Sequence, residues 1–394
     1  MRSESQKGQN LNDFRPRNAC RVELYFRALF RHDEGMWKLP KPNAPQRPDD
    51  FAKTDPTNPD LLALEAASLL WLREGMVEGG ALVVPLSDVA PGRIRTTRVH
   101  EGAVTADAAY AFGRALAVTH ATGAKSWGCP PEGWQGTGHM GRMRLDLPPN
   151  FTGTWGQFFG EYRVLPCLKP ARDNGSMSAG DTKIVERLVD KIVSGTFDSP
   201  QPGLVPAGKV ARIHGDLWSG NVLWSQNRPE WAPATAGLGP LPDLPSEIVQ
   251  KLERAARGED NGHGESDHGD DDDFYHDGGG AARSARYAGG ANVTYYEDGG
   301  GRPRNVPDFA PGPVGVLIDP AAQGGHAETD LAYLEVFGQP YLEQIYAGYA
   351  SVSPFEPGIA QRRGIHQMHL LAVHAAIFGD HYGDATVSMA LRYL

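Results

Sequence analysis

The chain has 394 residues, 40% of them hydrophobic, with 48 acidic against 38 basic side chains and a formal net charge of −10. That length supports a large core divided over two lobes or domains. The acidic balance excludes nucleic acid as a main partner, because a phosphate-binding surface is usually basic.

In chain order, Arg21–Phe30 (RVELYFRALF) has the composition of a strand, and the Pro-rich KLPKPNAPQRPDD after it reads as loop. Cys20, Cys129 and Cys167 have no metal or redox-motif spacing, which fits a reducing compartment. The opening MRSESQKGQNLNDF has no apolar signal core, and the run His369 to Phe378 is too short to span a bilayer. A cytoplasmic protein without a membrane partner is expected. Phe51-Ala52-Lys53 reads as a strand end. Asp60 is placed to cap a helix through LLALEAASLLWLREG, with Leu61, Leu64, Ala67 and Trp71 on its apolar face and Gly75 as its stop. ALVVPL (Ala81 to Leu86) and RIRTTRV (Arg93 to Val99) read as strands. From Thr105 the pattern turns helical, over ADAAYAFGRALAVTHATG, TWGQFFGEYRVLP and DTKIVERLVDKIVSG, and again from Glu328 to Leu394. Residues 225–312 are rich in Gly, Pro and Asp (GEDNGHGESDHGDDDD, DGGGAARSARYAGG), with too little apolar surface to offset the entropy of ordering. They are expected to form a disordered insertion with one isolated helix, Pro245–Arg257. The expected organisation is a small mixed lobe over 1–103 and a helical lobe over 104–394 that carries this insertion.

Two segments carry chemistry. His214 to Asn221 reads HGDLWSGN between the apolar Val210, Ile213, Val222 and Leu223, so a polar loop joins two short buried strands. Val316 to Pro320 reads VLIDP, an Asp at the end of an apolar strand. Phosphoryl transfer needs one base, oxygen ligands for a hard cation and a charge clamp. Asp216 is the expected base for a substrate hydroxyl, and Asn221 and Asp319 the expected ligands of the Mg²⁺ that bridges ATP phosphates. Lys53 on a strand and Glu65 on the next helix are the expected nucleotide clamp. His214 is expected to pack and hold the loop, and Asp330, opening a helix, to hold it through backbone hydrogen bonds. His326 and Glu328 flank the metal position as loop-ordering or substrate-contacting groups. An Asp-Gly turn alone accounts for neither Asn221 nor Asp319. GLVPAGKV (Gly203 to Val210) imitates a phosphate loop, but Val210 stands where Ser or Thr is required, and a strand follows instead of a helix.

HGDLWSGN, IDPAAQGGHAETDLA, FGQPYLEQIYAGY and FGDHYGDA resemble the fructosamine kinase (ketosamine-3-kinase) family, as do LEAASLLWL, WGCPPEGWQGTGHMGRM and TWGQFFGEYRVLP. The resemblance runs from Phe51 to Leu394 without the insertion. The HGD…N core belongs equally to the wider aminoglycoside-phosphotransferase-like group, whereas Trp218 and the Gly325 to Glu328 segment point to the narrower family. The resemblance implies an α+β, bilobal protein-kinase-like fold, with a small mixed N-lobe built on an antiparallel sheet and a large, mostly helical C-lobe. It implies ATP and Mg²⁺ as cofactors, and a small-molecule or protein-bound ketoamine as substrate, phosphorylated on a sugar hydroxyl in deglycation repair. Asp216 matches the family's base, Asn221 and Asp319 its metal ligands, Lys53 and Glu65 its clamp. Trp218 would cover the sugar–amine portion, with His326 and Glu328 as further substrate contacts. The family's Gly-rich hairpin has no paired glycines here, and Asn18-Ala19-Cys20-Arg21 is its remnant. A kinase for another amine-bearing alcohol, aminoglycoside- or choline-like, and a pseudokinase binding module remain as alternatives.

Overall fold

The structure is a computed structural model that describes residues 47–233, 235–240, 283–286, 292–295, 312–379 and 381–394. The strand expected at Arg21–Phe30, the hairpin remnant at Asn18–Arg21 and the helix expected at Pro245–Arg257 lie outside the described residues.

The first sheet is antiparallel, in the order β1 (Asp50–Thr54), β4 (Arg93–Thr97), β3 (Leu86–Ala90), with Lys53 opposite Ile94. One face of it buries Val89 and Ile94 against Leu62, Leu64 and Ala66 of α1 (Pro59–Arg73) and against Trp134. Helix α1 starts two residues earlier than the sequence suggests, because Pro59 with its fixed φ takes the first helical position. Asp60 therefore lies in the first turn and not at the cap. Nor does Gly75 end the helix. The chain continues as a 3₁₀ turn, Glu74–Glu78, and stops at Gly79, whose φ of +97° is the left-handed value that glycine tolerates.

The single strand expected over Ala81–Leu86 is two. β2 (Leu82–Val83) leaves the first sheet and pairs in parallel with β11 (Val314–Leu317), which pairs antiparallel with β8 (Val222–Ser225). Pro85 has no N–H to continue a ladder, so the strand breaks there and resumes as β3.

The remainder is mostly helical: α2 (Ala106–Ala121), α3 (Trp155–Phe159), α4 (Leu165–Asp173), α5 (Ala179–Val193), α6 (Ala327–Val336), α7 (Leu342–Ala350), α8 (Ile359–Phe378) and α9 (His381–Leu391). Capping boxes at Thr154/Gln157 and Ser178/Asp181 start α3 and α5. A π turn, Gly160–Val164, joins α3 to α4. Short pairs of strands complete the body: β5 (His139–Met140) with β6 (Met143–Arg144), and β7 (Ala211–Ile213) with β12 (Gln323–Gly325). Inside the segment expected to be structureless, β9 (Arg283–Arg286) and β10 (Asn292–Tyr295) pair antiparallel. The largest core joins Leu69 and Leu72 of α1 to Phe112, Leu116, Leu217, Val316, Leu317 and Leu331, so α1, the 214–221 loop and β11 share one interior. No helix among the described residues is long and apolar enough to cross a membrane.

Candidate active site

The 214–221 loop leaves β7, crosses a 3₁₀ turn at Ser219–Asn221 and enters β8. Three groups hold it. Asp330, buried in the first turn of α6, accepts the His214 N–H at 2.6 Å with one oxygen and the Gly215 N–H at 3.0 Å with the other. His120 of α2 sits behind it, with Nε2 3.1 Å from Asp330 Oδ2 and Nδ1 3.0 Å from the Tyr349 hydroxyl. His214 donates Nε2–H to the Ile318 carbonyl at 2.8 Å, and its Nδ1 accepts the Asp216 N–H at 3.3 Å. Burial lowers the His214 pKa, so the ring stays neutral and works as a strut. Gly215 has φ +83°, and a Cβ there would sit 2.2 Å from the Ala321 carbonyl oxygen.

These struts set Asp216 beside Asp319. Asn221, itself buried, donates its amide N–H to the Asp216 carbonyl at 2.7 Å and faces the Asp216 carboxylate at 3.3 Å. Burial, then the charge of Asp319, pushes the Asp216 carboxyl up to about 8, while the Asn221 hydrogen bond works the other way. Asp319 follows β11 with φ +55°, a strained value for a residue with a Cβ. The Ile318 N–H donates to the Asn221 carbonyl at 3.1 Å, which locks the two segments together.

Lys53 reaches into this group from β1. Its Nζ lies 3.1 and 3.2 Å from the Glu65 oxygens and makes a close ion pair with Asp319. Burial opposes its charge, but Glu65 and Asp319 outweigh that and raise the Lys53 pKa. Lys53, Glu65, Asp216 and Asp319 line a cleft of about 400 Å³, together with His139, Met140 and Gly141 of the β5–β6 hairpin, and Asn221 lies buried behind Asp216. Trp218 does not line it; its ring stands edge-on to Phe337 with centroids 5.6 Å apart and packs against the cluster that contains Met140.

His326 and Glu328 do not line that cleft. Both are buried, at 1% and 2% exposure. His326 caps α6, accepting the Glu328 N–H at its Nδ1, and its Nε2 faces the Ser199 and Pro200 carbonyls. Glu328 pairs with Arg362 through both oxygens, at 2.5 and 3.1 Å. Burial opposes its charge, yet His366 and Arg362 hold the carboxyl down at about 2. His326, Glu328 and His366 bring ligand atoms within 4.8 Å of one another, but Arg362 already meets the carboxylate charge without a cation. In this structure the pair orders the interior beneath α6 and has no contact with the cleft.

Sequence reasoning missed His120, Tyr349 and the β5–β6 hairpin, which carry no local signal. It also missed Arg212, a charged residue in the otherwise apolar run VARI just before the loop.

The chemistry available at the cleft is that of the Asp216 and Asp319 carboxylates and a clamped lysine, with the Asn221 amide beside Asp216, groups that suit a hard cation and a polyphosphate. Comparison with known proteins points the same way. The family model for Fructosamine kinase matches residues 99–235 and 303–394, more than half of the chain. The unmatched stretch between them falls inside the expected insertion, and the model's match starts beyond Lys53 and Glu65. A probable ketoamine kinase of Synechocystis is 25% identical over 288 residues, covering 73% of this chain and 63% of that protein. One of Vibrio vulnificus is 22% identical over 275 residues, covering 69% and 59%. The chain thus spans less than two thirds of the length of these relatives. The crystal structure of a candidate fructosamine-3-kinase of Thermobifida fusca superposes with a TM-score of 0.57 at 27% identity, covering 87% of this chain and 85% of that one. A candidate fructosamine-3-kinase of Haemophilus somnus gives 0.52 at 14% identity, covering 88% and 83%, a likeness of fold.

Proposed function

The chain belongs to the fructosamine kinase family, and from that premise we propose that it is a kinase that transfers phosphate from ATP to a sugar hydroxyl of a ketoamine. The fold, in this reading, is bilobal and protein-kinase-like, with the antiparallel sheet and α1 as the small lobe. The observation that carries the reading is the convergence of Lys53, Glu65, Asp216 and Asp319 on one cleft, with Asn221 hydrogen-bonded to Asp216.

Asp319 projects from a strained backbone into the cleft, and Asn221, with its amide nitrogen committed to Asp216, has its side-chain oxygen left as an acceptor. These oxygens suit a hard cation, and Mg²⁺ held there would neutralise charge on the transferring phosphoryl group. Lys53, steadied by Glu65, offers its ammonium to the α- and β-phosphates. Asp216 accepts the proton of the acceptor hydroxyl. Asn221 fixes its direction. Trp218 covers the sugar–amine portion, and the acidic cleft favours a cationic amine. Loss of the amine after phosphorylation would make the reaction a step of deglycation repair in the cytoplasm. Asp216→Ala is expected to abolish ketoamine-dependent ADP release while the circular dichroism spectrum and unfolding midpoint stay near those of the parent. Turnover that survives this change would show that Asp216 is not the base.

A further inference from the structure

We infer that Arg212 is a positioning residue for the phosphate clamp, tying the C-terminal end of α1 to the strand that feeds the 214–221 loop. The inference rests on the reading that Lys53 meets the nucleotide phosphates.

Arg212 lies on β7, yet its guanidinium turns away from the loop it precedes and crosses to α1. Its Nη1 donates to the Trp71 carbonyl at 2.6 Å and to Glu74 Oε2 at 2.5 Å, and its Nε donates to the Gly123 carbonyl at 3.2 Å. The guanidinium carbon stands 4.4 Å from the centroid of the Trp71 ring, and the side chain is only 10% exposed. The Trp71 carbonyl belongs to the last turn of α1, where the helix dipole is negative, and it already accepts the Glu74 N–H. A buried cation at that point meets the dipole and adds a charge-assisted hydrogen bond.

The consequence concerns Glu65. It sits on the same rigid α1, so where the helix end is held decides where its carboxylate stands, and the carboxylate holds Lys53. Along α1 the Thr137 N–H donates to Asp60 Oδ2 at 3.1 Å, the Ala322 N–H to Ser68 Oγ at 3.0 Å, and Arg73 Nη1 to the Val83 carbonyl at 2.5 Å. Arg212 is the cation that joins α1 to the strand feeding the 214–221 loop, and so it keeps the Lys53–Glu65 pair in register with Asp216 and Asp319, which the adjoining loop and β11 supply. Lysine does not replace it. A single ammonium cannot reach Trp71, Glu74 and Gly123 together or stack on the indole as a planar guanidinium does.

The test uses the full chain and two variants, R212M, which keeps apolar packing on Trp71, and R212K, which keeps the charge. MgATP affinity is read by isothermal titration calorimetry, and the KM values for ATP and for a ketoamine by ADP release. Both variants are expected to bind MgATP roughly tenfold more weakly, with ATP KM rising in step and acceptor KM unchanged. E74Q, a milder change at the helix end, is expected to move ATP affinity the same way by a smaller factor, and it carries the test if R212M fails to fold. If the parent binds MgATP and the folded variants bind it equally well while only melting temperatures fall, Arg212 is structural and the inference is overturned. If the parent itself does not bind MgATP, it is the kinase reading that fails, and the inference falls with it.

Discussion

Replacing Asp330 with Asn should loosen the 214–221 loop and lower stability by about 2–4 kcal/mol. The carboxylate is fully buried and serves three partners, the His214 and Gly215 N–H groups at 2.6 and 3.0 Å and His120 Nε2 at 3.1 Å. Asparagine keeps the shape but turns one acceptor oxygen into a donor that must face a donor. One charge-assisted hydrogen bond is lost, ~1.5–3 kcal/mol, and one buried N–H is left unsatisfied, ~1–3 kcal/mol; the two overlap, which gives the stated range. That is less than the ~5–15 kcal/mol of a typical domain, so the variant still folds. With a urea dependence of roughly 1–3 kcal/mol per molar, the unfolding midpoint should fall by about 1 M or more. Turnover should fall further than stability explains, because a base displaced by about 1 Å loses on the order of a hundredfold in rate. Urea unfolding and ADP release on the same sample read both effects. A midpoint within ~0.2 M of the parent with turnover intact would refute the assignment of Asp330 as the loop's anchor.

Two further outcomes follow from the geometry. Gly215→Ala forces a Cβ to within 2.2 Å of the Ala321 carbonyl at φ +83°, so it should destabilise by about 2 kcal/mol or more and suppress turnover. Parent-like melting and activity would mean that the loop is not held in this conformation. Glu328, held at about 2 against an ordinary 4.5, contributes stability that is complete above pH ~4.5 and is lost as pH falls toward 2, on the order of 3 kcal/mol in all. The stability gap between the parent and Glu328→Gln should accordingly shrink across that window, and a gap independent of pH would show that Glu328 is not held ionised by Arg362 and His366.

What could be read from the sequence was local. HGDLWSGN lies between two short strands because apolar residues flank it on both sides, and Asp319 follows β11 for the same reason. Asp330 could be placed at a helix start and beneath the loop, where its carboxylate accepts the His214 and Gly215 N–H groups, but nothing near it in sequence points to His120, 210 positions away. Arg212 likewise meets Trp71 and Glu74 across more than 130 positions. The split of Ala81–Leu86 was legible in principle, since Pro85 cannot continue a ladder. His326 and Glu328 read as loop-ordering or substrate-contacting groups because they follow Asp319 closely in sequence and flank the expected metal position. Their burial depends on Arg362 and His366, which α8 brings from elsewhere in the chain.

Ketoamine phosphorylation is decided by ADP release with Mg²⁺ over a panel of ribulosyl-lysine, fructosyl-lysine, an aminoglycoside and choline. Turnover is expected with the ketoamines, absent in Asp216→Ala, and none with the aminoglycoside or choline. Turnover confined to the aminoglycoside or choline, or no turnover with any of the four in a folded protein that binds MgATP, would contradict it.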